Sequence, residues 1–393
     1  MEWSNMVGSL TNNKLYNIPV VLVVHCVDSE GPIGGDVRKN PDGTKEFMDN
    51  WDDILYSLNE ITCEDFRKKY TDSFGEPYSY NWFIMDFTGF KTNPKNRIQK
   101  YNDTYDNIKS LNTSPDGFYW HDHHVPSSGI GDHWSNDWLS SNEHLNILAN
   151  RLIDRRDFPE AFRAGGTIED NNVSVWLEEN LMIDYSNRVS YKSFPTDNIF
   201  DFNWHGAPDH WGFYHPSKYA LLKPGDMRRY IVKCVDLKSR FHLLQQWEVD
   251  ECFRNALTTN RPIILSYFSH DHRDMREETY YALDLIKTSS AKYKVPWKTI
   301  NPVDAIQIAD NIERKQVRIS ISFSEKQLVC NFSDPIYQKS PFVAVKEKSG
   351  RILPLNAILE NNKCIINIKD SYQEIGIACT SISGNKALKL IKI

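Results

Sequence analysis

Three short stretches, far apart in the 393-residue chain, carry its densest acid, base and metal-ligand chemistry. They are Val27-Asp28-Ser29-Glu30-Gly31-Pro32, Trp120-His121-Asp122-His123-His124 and Ser269-His270-Asp271-His272-Arg273-Asp274. Asp28 and Glu30 are two residues apart, so on an extended strand both carboxylates leave the same face. His121 and His123 repeat that geometry, while His124 falls on the other face or in the following loop. One carboxylate can ligate a metal while the other takes a proton from water, and neutral imidazole is the commonest ligand of zinc-like metals. These residue types point to a hydrolytic site for one divalent ion, Zn2+ first, with Co2+, Ni2+ or Mn2+ as alternatives. Spacing does not settle which two of the three histidines are ligands. His121 and His123 are preferred, with His124 in reserve and placed toward the substrate.

Three further segments add chemistry. Arg163, at the end of an apolar run and followed by Ala164-Gly165-Gly166, could hold an active-site carboxylate while the glycines let backbone approach a ligand. The stretch from Asp201 to Pro216 is rich in aromatic and imidazole side chains, and Trp204, His205, Trp211 and Tyr214 would line a polar, sugar-sized pocket. His270 follows the run Pro262–Ser269 and is a candidate general acid, with His272 competing for the role. Asp271 or Asp274 could orient an imidazole.

These side chains need a scaffold, and the pattern between them supplies one. Strand-like runs at 18–28, 80–87, 116–121, 159–163, 228–235 and 262–268 alternate with helix-like stretches at 97–111, 140–156, 170–181, 240–258 and 275–291. Strand–helix alternation over nearly 300 residues predicts a parallel α/β fold. No G-x-G-x-x-G follows the first strand, which argues against a dinucleotide site and favours a barrel, whose active site sits at the C-terminal strand ends. Beyond residue 314 the texture changes to short alternating strands, predicting a compact all-β sandwich. The expected division is an extension at 1–17, a barrel at 18–314 and a sandwich at 315–393.

Composition narrows the function class. Net charge is −6, with 40% hydrophobic and 25% charged residues. An acidic balance argues against a nucleic-acid or anionic-membrane surface. No run approaches the ~18–20 apolar residues of a membrane span, and the first residues carry no basic region or apolar core of a secretion signal. The seven cysteines are scattered, with no C-x-x-C pair. A reducing, cytoplasmic setting is therefore expected, with Cys26 a small core residue. Oligomeric state is left open.

Taken in order, these segments resemble the polysaccharide deacetylases of carbohydrate esterase family 4. Val27-Asp28-Ser29-Glu30-Gly31-Pro32 is similar to that family's first block, which implies Asp28 as base and Glu30 as metal ligand. The family's second block has two histidines separated by three residues; His121-Asp122-His123-His124 departs from it and is similar to an H-x-H form of divergent members. Arg163-Ala164-Gly165-Gly166 matches the third block, implying that Arg163 positions Asp28. The 201–216 segment loosely matches the fourth, aromatic block, and His270 the fifth. The resemblance covers residues 18–312 and implies a distorted (β/α)7, TIM-like barrel that removes acetyl groups from an N-acetylated sugar or polysaccharide. The lack of a signal sequence makes the chain look more like the subgroup of O-antigen and surface-polysaccharide biosynthesis. Competing readings are another mononuclear metal hydrolase, or a degenerate barrel that only binds carbohydrate.

Overall fold

The computed structural model of the chain describes residues 15, 17–32, 47–85, 97–123, 139, 142–189, 204–238 and 242–393. Its first half is a strand–helix succession: β1 (Val20–Ser29), α1 (Trp51–Thr62), α2 (Glu64–Lys69), β2 (Asn81–Met85), α3 (Arg97–Lys109), β3 (Gly117–Asp122), α4 (Glu143–Asp154), β4 (Ala161–Ala164), α5 (Asn171–Asn180) and β5 (Ile183–Asn187). Short strands β6 (Phe213–Tyr214), β7 (Pro216–Ser217), β8 (Ala220–Pro224), β9 (Tyr230–Lys233) and β10 (Val235–Asp236) follow. The succession resumes with α6 (Gln246–Thr259), β11 (Pro262–His270), α7 (Met275–Tyr293), β12 (Trp297–Thr299) and α8 (Pro302–Ala309).

One curled, barrel-like sheet runs in the order β10-β11-β1-β2-β3-β4-β5-β9-β6, with β12 added beside β1. Every pairing along it is parallel except that of β6 with β9. The extended run 230–236 pairs with β5 through β9 and with β11 through β10, so a single stretch of chain links the two sides of the sheet. Because the strands are parallel, the C-terminal ends of β1, β3, β4 and β11 lie at one end of it.

β1 shows why the apolar run folds this way. Val21, Val23 and Val27 pack under the helices with Ile54, Leu58 and Leu283, while Val20, Leu22, Val24 and Cys26 join an inner core with Phe83, Ile183 and Phe268. A strand covered on both faces is apolar at every position, not at alternate ones. Cys26 is thus a buried core residue, as the sequence reading held. The helices start where caps allow: Asn50, Asp170 and Asn301 accept the backbone N–H groups of Asp53, Val173 and Asp304. Each such cap is worth about 1 kcal/mol. Asp274 is used in the same way at the start of α7 and pairs with Arg276, so it does not orient an imidazole as expected.

Residues 319–392 form two four-stranded sheets. They are β13 (Ile319–Ser324), β14 (Gln327–Phe332), β18 (Lys363–Asn367) and β17 (Leu359–Glu360) in one, and β16 (Ile352–Leu355), β15 (Phe342–Glu347), β19 (Tyr372–Thr380) and β20 (Lys386–Lys392) in the other. Leu328, Cys330 and Ile366 of the first face Val343, Ile375 and Ile377 of the second across a shared core. Small residues let this unit sit on α4: Ala344 and Ala378 pack with Leu148 and Leu152, and a Cβ on Gly376 would fall 2.9 Å from Leu152. All seven cysteines are free. Among the described residues, no helix is long and apolar enough to cross a membrane.

Candidate metal centre

The register of the sheet assembles the three chemical stretches. Asp28 at the end of β1 is level with His270 on β11, and His121 on β3 is level with Arg163 on β4. Side chains separated by up to 242 residues therefore meet at one end of the sheet.

Glu30 is the centre of the group. Its Oε1 lies 4.0 Å from His121 Nε2, 3.6 Å from His123 Nε2 and 3.8 Å from His270 Nε2, and its Oε2 lies 3.8 Å from His272 Nδ1. These separations are too long for hydrogen bonds but suit groups that share an ion. Ligand atoms of Glu30, His121 and His123 all lie within 4.8 Å of one another, and all three residues are buried. His121 Nδ1 meets the Arg163 carbonyl oxygen at 3.0 Å. That contact requires the proton on Nδ1 and leaves Nε2 with a lone pair. Nε2 is buried and, among the described residues, has no hydrogen-bond partner. Burial lowers the pKa of His121 to about 4, outweighing the attraction of Asp28 and Glu30, so the ring is neutral, as a ligand must be. Two imidazoles and a carboxylate with an orphaned, inward nitrogen fit a divalent ion of the zinc class.

Arg163 and Gly165 of one short segment support two different members of the group. Arg163 donates from Nε to Asp28 Oδ1 at 2.6 Å and from Nη2 to Oδ2 at 2.8 Å, and from Nη1 to the Tyr185 carbonyl at 2.6 Å. Both Asp28 oxygens are held in a planar, bidentate pair, and the guanidinium lies 3.9 Å over the Phe268 ring. Burial opposes ionisation of Asp28, but Arg163, with help from His121 and His270, overrides it and holds the carboxyl well below its usual range. Two residues on, Gly165 makes room for His123: an added Cβ would lie 2.3–2.6 Å from its ring. Gly166 then turns the chain at φ 56°, in the left-handed region.

His270 is set apart from Glu30, His121 and His123. It is the most exposed of the group, its side chain 24% accessible, and it is not among the three residues whose ligand atoms cluster. Burial still lowers its pKa, against the pull of Glu30 and Asp28.

The remaining expected site residues fall elsewhere. His124 lies outside the described residues, as do residues 201–203. Trp204 is buried with its indole N–H donated to the Thr167 carbonyl, and Trp211 with its own to the Glu248 carbonyl. Tyr214 is buried with its hydroxyl donated to the Leu221 carbonyl. These rings sit in the packing with their donors spent on backbone, not presented as a wall, whereas His205 is exposed. Three features escaped the sequence reading. Gly165 clears space for His123, His272 faces Glu30, and Asp271 accepts the backbone N–H groups of Glu30 and Gly31. Only the glycine pair carried a signal in the sequence; the other two depend on how β11 crosses the end of β1.

No protein-family model matches the sequence, and no curated protein matches it. Among solved structures, the chain is similar to a candidate glycoside hydrolase/deacetylase from Parabacteroides distasonis, with TM-score 0.42 and 10% identity over 88% of this chain and 85% of that one. Fainter likenesses are to a carbohydrate acetylesterase from Xanthomonas citri (TM-score 0.17, 11% identity, 95% and 70% of the two chains) and to wild-type OgpA from Akkermansia muciniphila (TM-score 0.17, 10% identity, 98% and 95%). Likenesses this distant assign neither family nor activity.

Proposed function

We propose that the chain is a metal-dependent hydrolase that removes an N-acetyl, or O-acetyl, group from a sugar or polysaccharide intermediate. The observation that carries the reading is the buried Glu30–His121–His123 group, with His121 Nε2 turned inward and without a hydrogen-bond partner. The order of the sequence blocks that resemble polysaccharide deacetylases adds to it. On this reading the barrel counts seven strand units, and residues 315–393 are a separate sandwich domain.

Glu30, His121 and His123 hold one zinc-like ion. When bound, such an ion polarises an acyl carbonyl and acidifies a water molecule. Asp28 accepts the proton of the attacking water. Arg163 keeps Asp28 ionised and fixes both its oxygens, which costs basicity and supplies orientation. As water oxygen bonds to the acyl carbon, the carbon–nitrogen bond breaks and His270 gives its proton to the departing amine. The products are acetate and a free amino sugar. A lowered pKa makes the His270 imidazolium, once formed, a strong proton donor.

The test is metal content per chain by elemental mass spectrometry, followed by acetate release from N-acetylated and O-acetylated sugars. About one zinc-like ion per chain with acetate release supports the reading. No uptake after incubation with zinc or cobalt sinks it. Metal and glycan binding without acetate release across several metals would leave a degenerate, carbohydrate-binding barrel.

A further inference from the structure

We propose that Asp271 is a positioning residue. Its carboxylate fixes the backbone of Glu30 and Gly31, and through it the aim of the Glu30 side chain toward His121 and His123. The inference rests on Glu30 being a metal ligand.

Asp271 is fully buried, an unusual place for an acid unless its oxygens are well bonded. Glu30 donates its backbone N–H to Oδ1 at 2.8 Å, and Gly31 donates to Oδ1 at 3.1 Å and Oδ2 at 3.0 Å. Two successive backbone N–H groups converging on one anion form a nest. Gly31 sits at φ 64°, in the left-handed region that favours glycine, which turns its N–H to the same side as that of Glu30. The last register pair of β1 and β11 is Asp28 with His270, so Asp271 is the first residue of β11's continuation past that pair. The Asp271 N–H also reaches the Asp28 carbonyl at 3.4 Å. The continuation of β11 is thus fastened to the turn that carries the ligand. His272 Nδ1 is 3.8 Å from Asp271 Oδ1, beyond hydrogen-bond reach. Both oxygens of the carboxylate accept peptide N–H groups.

Glu30 stands on the turn after β1, not within the ladder, so the sheet alone does not set its direction. A ligand is useful only within about 0.2 Å of its place. Groups that orient ligands typically govern metal affinity by about 10–100-fold.

Asp72 supplies a matched control. It too is a buried aspartate that accepts backbone N–H groups, those of Phe74 (2.8 Å), Glu76 (3.1 Å) and Thr299 (3.2 Å). Thr299 is level with Val23, toward the other end of β1. In the full-length chain, Asp271→Asn and Asp72→Asn would be compared for urea midpoint without metal and for cobalt and zinc affinity by titration. Both should lower the midpoint. Only Asp271→Asn should weaken cobalt and zinc binding, by about 10–100-fold. A second pair addresses the nest from its other side: Gly31→Ala should weaken metal binding, and Gly31→Asn, which tolerates the left-handed region, should largely retain it. If Asp271→Asn does not fold, this pair decides. Wild-type affinity in Asp271→Asn, or equal loss in the Asp72 control, overturns the assignment while leaving the hydrolase reading intact. A wild-type chain that takes up no metal overturns both.

Discussion

The sharpest consequence of the site's packing concerns Gly165. Its φ is not in the left-handed region, so the backbone itself accepts alanine. The obstacle is the His123 ring, whose Cγ would lie 2.3 Å from the new Cβ. Ordinary contact begins near 3.4 Å, so the ring must retreat by about 3.4 − 2.3 = 1.1 Å. The clash falls on Cγ, next to the ring's point of attachment, so rotation about the last bond does not relieve it. A metal ligand tolerates about 0.2 Å, and the required shift is several times that. Gly165→Ala should therefore remove His123 from the ligand set and weaken zinc or cobalt binding by at least about 100-fold, the upper end of what an outer-shell change does. Overpacking adds a cost of about 1–3 kcal/mol to the metal-free fold. The assay is a pair of urea titrations, with and without metal at about 100 times the wild-type Kd. Wild type should gain about 2.7 kcal/mol from the metal, and Gly165→Ala almost none. A variant that is destabilised without metal yet gains the full wild-type increment would refute the role of Gly165 as clearance for a ligand.

Three other outcomes follow from the buried charges. Arg163→Met strands the Asp28 carboxylate and should cost about 3–5 kcal/mol at neutral pH. In wild type the folded pKa of Asp28 lies below the unfolded value near 3.9, so its stabilisation is complete above that pH and lost below it. Without the guanidinium, burial raises the pKa, and the deficit should shrink as pH falls toward 4.5; urea midpoints showing a pH-independent deficit would contradict this. Glu169 and Asp184 share the Arg229 guanidinium in a fully buried triad. Burial chiefly, reinforced by Asp184 and opposed by Arg229, pushes Glu169 up to about 8. The native state then holds a proton that the unfolded chain gives up above pH ~4.3, so this group's contribution to stability falls as pH rises from there through 8. Glu169→Gln should flatten that fall, and parallel stability–pH curves for variant and wild type would count against it. His270→Ala should leave metal content unchanged and lower turnover by about 10²–10⁴-fold, whereas loss of metal in that variant would make His270 a ligand.

Strands β1 to β4, β9–β10 and β11 were legible as short apolar runs, and helices α3 to α7 from apolar residues at three-and-four spacing. β5 was not. Its sequence, Ile183-Asp184-Tyr185-Ser186-Asn187, is half polar, and Asp184 is buried only because Arg229 and Ser186 meet it there. α1, α8, β14 and β20 were likewise missed, α1 and α8 in stretches left without an element and the two strands in segments where the pattern was read for their neighbours. In the site, Asp28, Glu30, His121, His123, Arg163 and His270 were named from residue type and strand alternation, and the fold brings them together. In the aromatic segment, Trp204, Trp211 and Tyr214 are buried with their donors on backbone carbonyls; indole and phenol rings serve packing as readily as sugar binding, and composition does not separate the two.

The sequence by itself determined which faces are apolar and which side chains share a strand face, because alternation along a strand is a local property of the chain. It placed Asp28 and His121 on strands, while Glu30 and His123 fall one residue beyond the ends of β1 and β3. The tertiary structure decided how these residues meet. Parallel register set Asp28 level with His270 and His121 level with Arg163, and the close approach of β3 to the turn after β4 demanded Gly165. The carboxylate of Asp271 was directed to the Glu30 turn by the path of the chain beyond β11. These are relations between segments up to 242 residues apart, set by packing, and no spacing along the chain encodes them.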